Sequence, residues 1–319
     1  MKNLFKSPRA LRIYGIASLS LAALCIIFRT IGYLFFFDSD IGYFKRGSVI
    51  GGISEILPAV SVVLALIVCA VSRLSPHAKE VYGGKAIKIS AFFPAIGFAG
   101  YAIVYAIQLI DYIPIISKVP VTYWILLASS IIASVFFFLY AIRKNNGNVL
   151  FVLSGFFVIV WLVVSLAESY FDAYVQMNSP MKTGFQYAIL CAILLIVNEM
   201  RVDLDVKRPR FHLFSATIST VFLGAVSISS IVASLFGKMP DNYILFYSDC
   251  VLFTLFVFAA VRLIGLCFPT KGYKAFVQMI HDIANNYEPV SRETPAQDIN
   301  NETANSESTI NTADGETQQ

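Results

Sequence analysis

The stretch KMPDNYILFYSDCVLFTLFVFAAVR, residues 238–262, decides the fold class. Between Pro240 and Arg262 lie 21 residues that are almost all apolar. At about 1.5 Å per residue, a helix of that length crosses a hydrocarbon layer of roughly 30 Å. The stretch therefore predicts a membrane-spanning helix. A carboxylate, Asp249, lies well inside the stretch, whereas Asp241 lies at its start.

The layout of this stretch recurs along the chain. Three stretches begin with a proline and reach an arginine 21 to 23 residues later: Pro120 to Arg143, Pro180 to Arg201 and Pro240 to Arg262. Eight apolar runs can be counted in all, at 13–37, 49–71, 89–110, 121–142, 149–171, 184–200, 213–236 and 243–268. Runs this long and continuous are helices and not barrel strands. The sequence predicts an all-α integral membrane protein whose eight transmembrane helices form four antiparallel hairpins.

The composition supports this class and excludes others. Hydrophobic residues make up 57% of the chain and charged residues 14%, and the mean hydropathy is +0.70. Such a chain is a membrane protein, with the lipid bilayer as its surroundings, and it offers no basic soluble face for nucleic acid. The five cysteines all fall inside apolar runs without a C-x-x-C spacing, so we interpret them as small apolar residues in the packing.

The connections between the runs set the orientation. Sixteen Lys and Arg residues lie on the side that holds both termini, and five lie on the other side. Because cytoplasmic loops carry the excess of basic residues, both termini are predicted to be cytoplasmic. The plasma membrane of a bacterium is the expected location.

The chain divides into three parts by its composition. Residues 1–268 form the eight-helix transmembrane domain. Residues 269–287 place Phe276, Ile280, Ile283 and Tyr287 on one face, which predicts an amphipathic helix at the cytoplasmic surface. Residues 288–319 are polar and acidic with almost nothing apolar to bury, which predicts a disordered cytoplasmic tail.

Ionisable residues inside the runs are the candidates for function, because they are costly in hydrocarbon. Arg29, Glu55, Glu168 and Asp249 all lie in the outer third of their runs, and Arg29, Glu55 and Asp249 lie at nearly equal depth. They predict an outward-facing polar pocket in which one carboxylate neutralises Arg29 and another meets a cation, a proton or an amine-bearing solute. The alternative is a structural ion pair, with Arg29 extending outwards to the interface.

Three further residue patterns carry structural predictions. Gly51, Gly52 and Ala59 surround Glu55 on its helix, so Glu55 is expected to face protein. Glu199, near the inner end of the sixth run, is expected to pair with an arginine such as Arg143 or Arg201. The Ser, Thr and Gly residues of the seventh run indicate a helix inside the bundle.

No pattern in the sequence indicates catalysis. The three histidines lie in or beside different cytoplasmic segments, and no catalytic or phosphate-binding motif is present. We therefore expect no enzyme activity, no metal and no cofactor. Two functions stay open. The first is binding or transport of a small cationic or polar solute. The second is a non-transporting sensor, scaffold or accessory subunit that binds a protein partner at its cytoplasmic face.

Overall fold

The computed structural model describes residues 8–39, 41–71, 85–112, 119–142, 149–172, 176, 178–204, 208–239 and 245–268. In these ranges eight helices are long and apolar enough to cross a membrane, which confirms the all-α membrane class. The predicted surface helix 269–287 and the tail 288–319 lie outside the described residues.

We number the membrane helices span 1 to span 8. Span 1 is an α-helix, Pro8–Ile31, that continues as a π-helical turn, Gly32–Phe36. Span 3 consists of the helices Lys85–Ser90 and Phe92–Tyr112. The other spans are Val49–Val71 (span 2), Val121–Ile142 (span 4), Val149–Phe171 (span 5), Pro180–Asp203 (span 6), Pro209–Leu235 (span 7) and Phe246–Cys267 (span 8).

A short β-hairpin follows span 1. Strand β1, Phe37–Asp38, pairs antiparallel with strand β2, Tyr43–Phe44. The ring of Phe44 packs on Tyr33 of the π-helical turn, with the ring centroids 5.5 Å apart. The hairpin therefore covers the end of span 1 and leads the chain into span 2.

Span 6 begins earlier than its apolar run predicts, at Pro180 and not at residue 184. The side chain of Ser179 accepts a hydrogen bond from the Lys182 backbone N–H at 3.1 Å and caps the helix. The Lys182 side chain is buried, and its Nζ donates to the Asp172 carbonyl at 2.8 Å. The first turn of span 6 is polar and resembles a connection in the sequence. It is helical in the structure because these hydrogen bonds satisfy its polar groups.

The spans alternate in direction. Tyr140 at the end of span 4, Glu199 at the end of span 6 and Arg262 near the end of span 8 meet His212 at the start of span 7. We call this side the N-terminal face, because span 1 also begins there: the Tyr14 hydroxyl lies 2.8 Å from the hydroxyl of Thr217 in span 7. The other side is called the opposite face.

Span 7 is the central helix of the bundle. It packs against spans 1, 2, 6 and 8, and 67% of its most apolar window is buried, more than in any other span. Most of its buried hydroxyls donate hydrogen bonds to backbone carbonyls; Ser219, for example, donates to the Cys191 carbonyl of span 6 at 2.7 Å. The prediction that this helix lies inside the bundle is confirmed. Spans 1 and 2, which are far from span 7 in the sequence, also pack on it. Contacts between consecutive helices therefore do not describe the whole packing, and the arrangement in four hairpins stays a prediction.

Spans 1 and 8 approach each other closely at one glycine. A Cβ at Gly15 would lie 2.5 Å from the Cβ of Cys267, which no rotamer change can relieve. Cys267 is fully buried there, and all five cysteines are free thiols, as their positions in the apolar runs predict. Gly15 is therefore the residue that lets these two helices pack.

Candidate functional site

A partly open cleft of about 240 Å³ lies on the side of the bundle towards the opposite face. Span 2 lines it with Glu55 and Pro58, and span 6 lines it with Pro180, Thr183, Gly184 and Tyr187. Span 7, on which both of these spans pack, contributes Phe222, Ala225 and Val226, and span 1 contributes Arg29. The cleft therefore combines an apolar floor with two oppositely charged side chains.

Arg29 is buried, with 4% of its surface exposed, and neutral groups hold it in place. Its Nη2 donates to the Tyr33 hydroxyl at 2.9 Å and to the Pro180 carbonyl at 2.6 Å. Its guanidinium carbon lies 5.3 Å from the centre of the Tyr33 ring, a cation–π distance. These contacts fix the guanidinium at the edge of the cleft without supplying a negative charge.

Gly184 of span 6 makes room for this guanidinium. A Cβ at position 184 would overlap Nη2 of Arg29 and would lie 3.0 Å from its Cζ. Any larger residue there would have to push the arginine side chain away from Pro180. The glycine is therefore part of what places Arg29 in the cleft.

Glu55 is a lining residue of the cleft, six residues after the start of span 2 at Val49. Its side chain is exposed, so the prediction that it faces protein is wrong. The reason is that Gly51 is covered by the ring of Phe44, whereas Gly52 meets nothing within 4 Å. Only Gly51 is therefore packed against the β-hairpin, whereas the helix surface at Gly52 is open. Glu55 lies beside the cleft.

Asp249 has a different position from the one its depth in the run suggests. Span 8 begins at Phe246, so Asp249 lies in the first helical turn and is fully buried. A carboxylate is favoured there by the partial positive charge of the helix N-terminus. Asp249 is not a lining residue of the cleft.

Glu168 lies in span 5, where it is half-buried, and it is not a lining residue of the cleft. Of the four candidate residues, Arg29 and Glu55 line one cleft, whereas Asp249 and Glu168 are not among its lining residues. Among the residues that the structure describes, no ion pair joins Arg29 to any of the three carboxylates.

A second polar cluster, at the N-terminal face, was missed as a unit by the sequence analysis. Glu199 and Arg262 form a buried ion pair, in which the Arg262 Nε donates to Glu199 Oε1 at 2.6 Å and Nη2 bonds to Oε2. The Tyr140 hydroxyl lies 3.0 Å from Glu199 Oε2 and accepts from the Arg262 guanidinium at 2.6 Å. His212 Nε2 lies 3.1 Å from Glu199 Oε1.

This buried cluster corrects the expected partner of Glu199. Glu199 pairs with an arginine as expected, but the partner is Arg262; Arg201 is exposed, and Arg143 lies outside the described residues. The helix that carries Arg262 continues to Cys267. In the structure Arg262 is in register with Leu255, Phe258, Ala259 and Leu266 on the buried face of its helix.

The cluster joins spans 4, 6, 7 and 8 through four side chains that are at most 9% exposed. Its charges are paired and hydrogen-bonded, which is what a buried ion pair requires to be tolerated. The cluster therefore links these four helices. Among the described residues, no group of three or more His, Cys, Asp or Glu side chains is arranged to hold a metal ion.

Comparisons with protein families, with curated proteins and with solved structures give no match for this chain. The class follows from the structure itself: eight apolar helices of membrane-spanning length define a polytopic membrane protein. Its polar features are a charged cleft near the opposite face and a buried ion-pair cluster at the N-terminal face.

Proposed function

We propose that this membrane protein binds a small polar solute in the cleft lined by Arg29 and Glu55, and that it serves the passage of that solute across the membrane. The observation that carries the proposal is that two opposite charges line one cavity without pairing to each other. Charged residues in membrane helices are costly and mark substrate sites when they face a cavity. Asp249 and Glu199 need no solute, because a helix N-terminus and Arg262 account for them.

The cleft has the composition of a small binding site. Such sites are mainly apolar, with a few convergent polar groups that orient the ligand. Here Phe222, Ala225 and Val226 supply the apolar surface, and Arg29 and Glu55 supply the polar groups. The volume, about 240 Å³, suits a small solute and not a drug-sized molecule, whose sites span roughly 300–1,000 Å³.

Binding is tested by thermal unfolding of the full chain in detergent with a panel of small amines, carboxylates and amino acids. We expect at least one solute to raise the unfolding midpoint of the wild type, since a ligand of the native state stabilises it by about 2.7 kcal/mol at a hundred times its Kd. Glu55→Gln and Arg29→Gln should lose that increase.

Two exposed residues provide matched controls for this experiment. Asp111→Asn removes a carboxylate near the same face, and Arg46→Gln removes an arginine from the connection that enters span 2. Both variants should respond to the solute as the wild type does. The proposal is wrong if no solute shifts the midpoint, or if Glu55→Gln and Arg29→Gln respond like the controls.

Flux into proteoliposomes separates transport from the alternative role as a sensor, scaffold or accessory subunit. Accumulation of the bound solute that is lost in Glu55→Gln supports transport. Binding without flux supports a sensor that uses the same cleft. We further propose that the protein carries out no catalysis and resides in a bacterial plasma membrane.

The orientation follows from the basic residues and is tested by cysteine labelling. Lys238 and Arg208 are both exposed and lie at opposite ends of span 7. In a background without the native cysteines, Lys238→Cys should react with a membrane-impermeant maleimide in intact cells. Arg208→Cys should react only after the membrane is permeabilised. The reverse pattern would place both termini outside.

A further inference from the structure

We infer that the cleft takes a zwitterion, with its anionic group on Arg29 and its ammonium group towards Glu55. The inference rests on the proposed solute binding and names the chemical class of the solute. It goes beyond the cationic or amine-bearing solute that the sequence suggests, because it makes Arg29 a ligand-binding group and not a charge that the protein itself neutralises.

The burial of Arg29 is the first step of the argument. A guanidinium removed from water needs a negative charge close by, because neutral acceptors replace only part of its hydration. Arg29 has the Tyr33 hydroxyl and the Pro180 carbonyl, which are both neutral. Within the described residues its Nε is buried without a hydrogen-bond partner, and no carboxylate forms an ion pair with the side chain. The site is therefore short of one anion.

The shape of the site around Arg29 indicates that this anion comes from outside. Gly184 leaves space for the guanidinium at the edge of the cavity, and Arg29 is itself a lining residue. A guanidinium presents its donors in a plane and binds carboxylate or phosphate oxygens through several hydrogen bonds at once. A carboxylate or phosphate entering the cleft would supply the missing negative charge.

Glu55 provides the complementary half of the site. Its carboxylate lines the same cavity but forms no ion pair with Arg29, so a ligand can lie between the two groups. The Thr183 hydroxyl, also in the lining, donates its proton to the Ser179 carbonyl at 2.9 Å, so its oxygen can take part in a further hydrogen bond only as an acceptor. A carboxylate and a hydroxyl acceptor suit an ammonium group, which has only donors.

The rest of the lining limits the size of the ligand. Phe222, Ala225 and Val226 form an apolar floor beneath the two charged groups. A short aliphatic side chain or linker fits against such a floor. Two sources offer this chemistry: a small free amino acid, and the headgroup of an amine-bearing phospholipid, whose phosphate and ammonium are a few atoms apart. The experiment distinguishes them.

The test compares probes that carry one charge with probes that carry both. The full chain in detergent is titrated with alanine, with propionate, which keeps only the anion, and with ethylamine, which keeps only the cation. We expect alanine to raise the unfolding midpoint by several degrees at millimolar concentration, with neither single-charge probe reaching half that shift. A lipid arm uses nanodiscs of phosphatidylglycerol with or without phosphatidylethanolamine, with the same readout.

The variants assign each charge to its partner. Glu55→Gln should raise the Kd of alanine at least about tenfold, because the ammonium loses its partner, and should leave any weak propionate binding unchanged. Gly184→Ala should weaken the binding of both alanine and propionate, because it displaces the Arg29 guanidinium. It serves as the second variant if Arg29→Gln fails to fold. Asp111→Asn and Arg46→Gln should behave as the wild type.

Each outcome decides the inference. A shift with alanine, or with phosphatidylethanolamine alone, supports a zwitterion and identifies its source. If ethylamine alone matches alanine, the site is a cation site; if propionate alone matches it, the site is an anion site. In both cases the inference is wrong while the proposed solute binding stands. No shift with any probe or lipid overturns both.

Discussion

Replacing Arg262 by methionine is expected to lower the free energy of unfolding by about 3–5 kcal/mol, because the buried Glu199 carboxylate would lose its guanidinium and keep only Tyr140 and His212 beside it. Glu199 is 1% exposed and receives two hydrogen bonds from Arg262, so no water can replace the guanidinium. The measurement is unfolding of the full chain in mixed micelles, followed by the fluorescence of the buried Trp161.

The double variant Arg262→Met with Glu199→Leu tests whether the loss of stability comes from the unpaired charge of Glu199. With both charges gone, apolar side chains of similar size fill the site, and most of the lost stability should return. Arg201→Met is the matched control: this arginine is two residues from Glu199 but exposed, and its loss should change stability by no more than about 0.5 kcal/mol. If Arg262→Met lowers the free energy of unfolding no more than Arg201→Met does, the cluster does not stabilise the packing of the helices.

Gly15→Ala is expected to destabilise the bundle by about 1–3 kcal/mol, although alanine is the better helix former by about 1 kcal/mol. The new Cβ would lie 2.5 Å from the Cβ of Cys267, and the two helices would have to move apart. The same unfolding assay measures the loss. Cys267→Gly, which removes the opposing Cβ, should partly restore stability in combination.

Gly100→Ala is the control for this substitution. It lies in the middle of span 3, and a Cβ there meets nothing within 4 Å. The change should be neutral or slightly stabilising, because only the helix propensity is altered. Equal effects of Gly15→Ala and Gly100→Ala would show that the close approach of spans 1 and 8 is absent in the membrane.

Much of the fold could be predicted because membrane insertion depends on local composition. Eight runs of apolar residues give eight helices, and the Ser, Thr and Gly pattern identifies span 7 as interior. The apolar run 184–200 underestimates the length of span 6, because the first turn of this helix is polar. That turn depends on bonds to Ser179 and Asp172, which local hydropathy does not describe.

The polar contacts were less predictable because they depend on which helices become neighbours. Depth along the run put Arg29, Glu55 and Asp249 at one level, whereas the cleft is lined by Arg29 and Glu55 without Asp249. Arg262 fits both a helix end at the cytoplasmic surface and a buried ion pair. Its helix is apolar on all sides, so the sequence does not show which side faces the core.

The central position of span 7 has a consequence for how the chain is made. Tyr14 bonds to Thr217, 203 residues further on, and Arg29 bonds to Pro180, 151 residues further on. At a synthesis rate of roughly 5–20 residues per second, Tyr14 waits about 10 to 40 seconds for its partner to leave the ribosome. During that time spans 1 and 2 are in the membrane without the helix that later covers their polar side chains. The bundle can therefore close only after the seventh helix has been inserted, and the native polar contacts of span 1 form late in the synthesis of the chain.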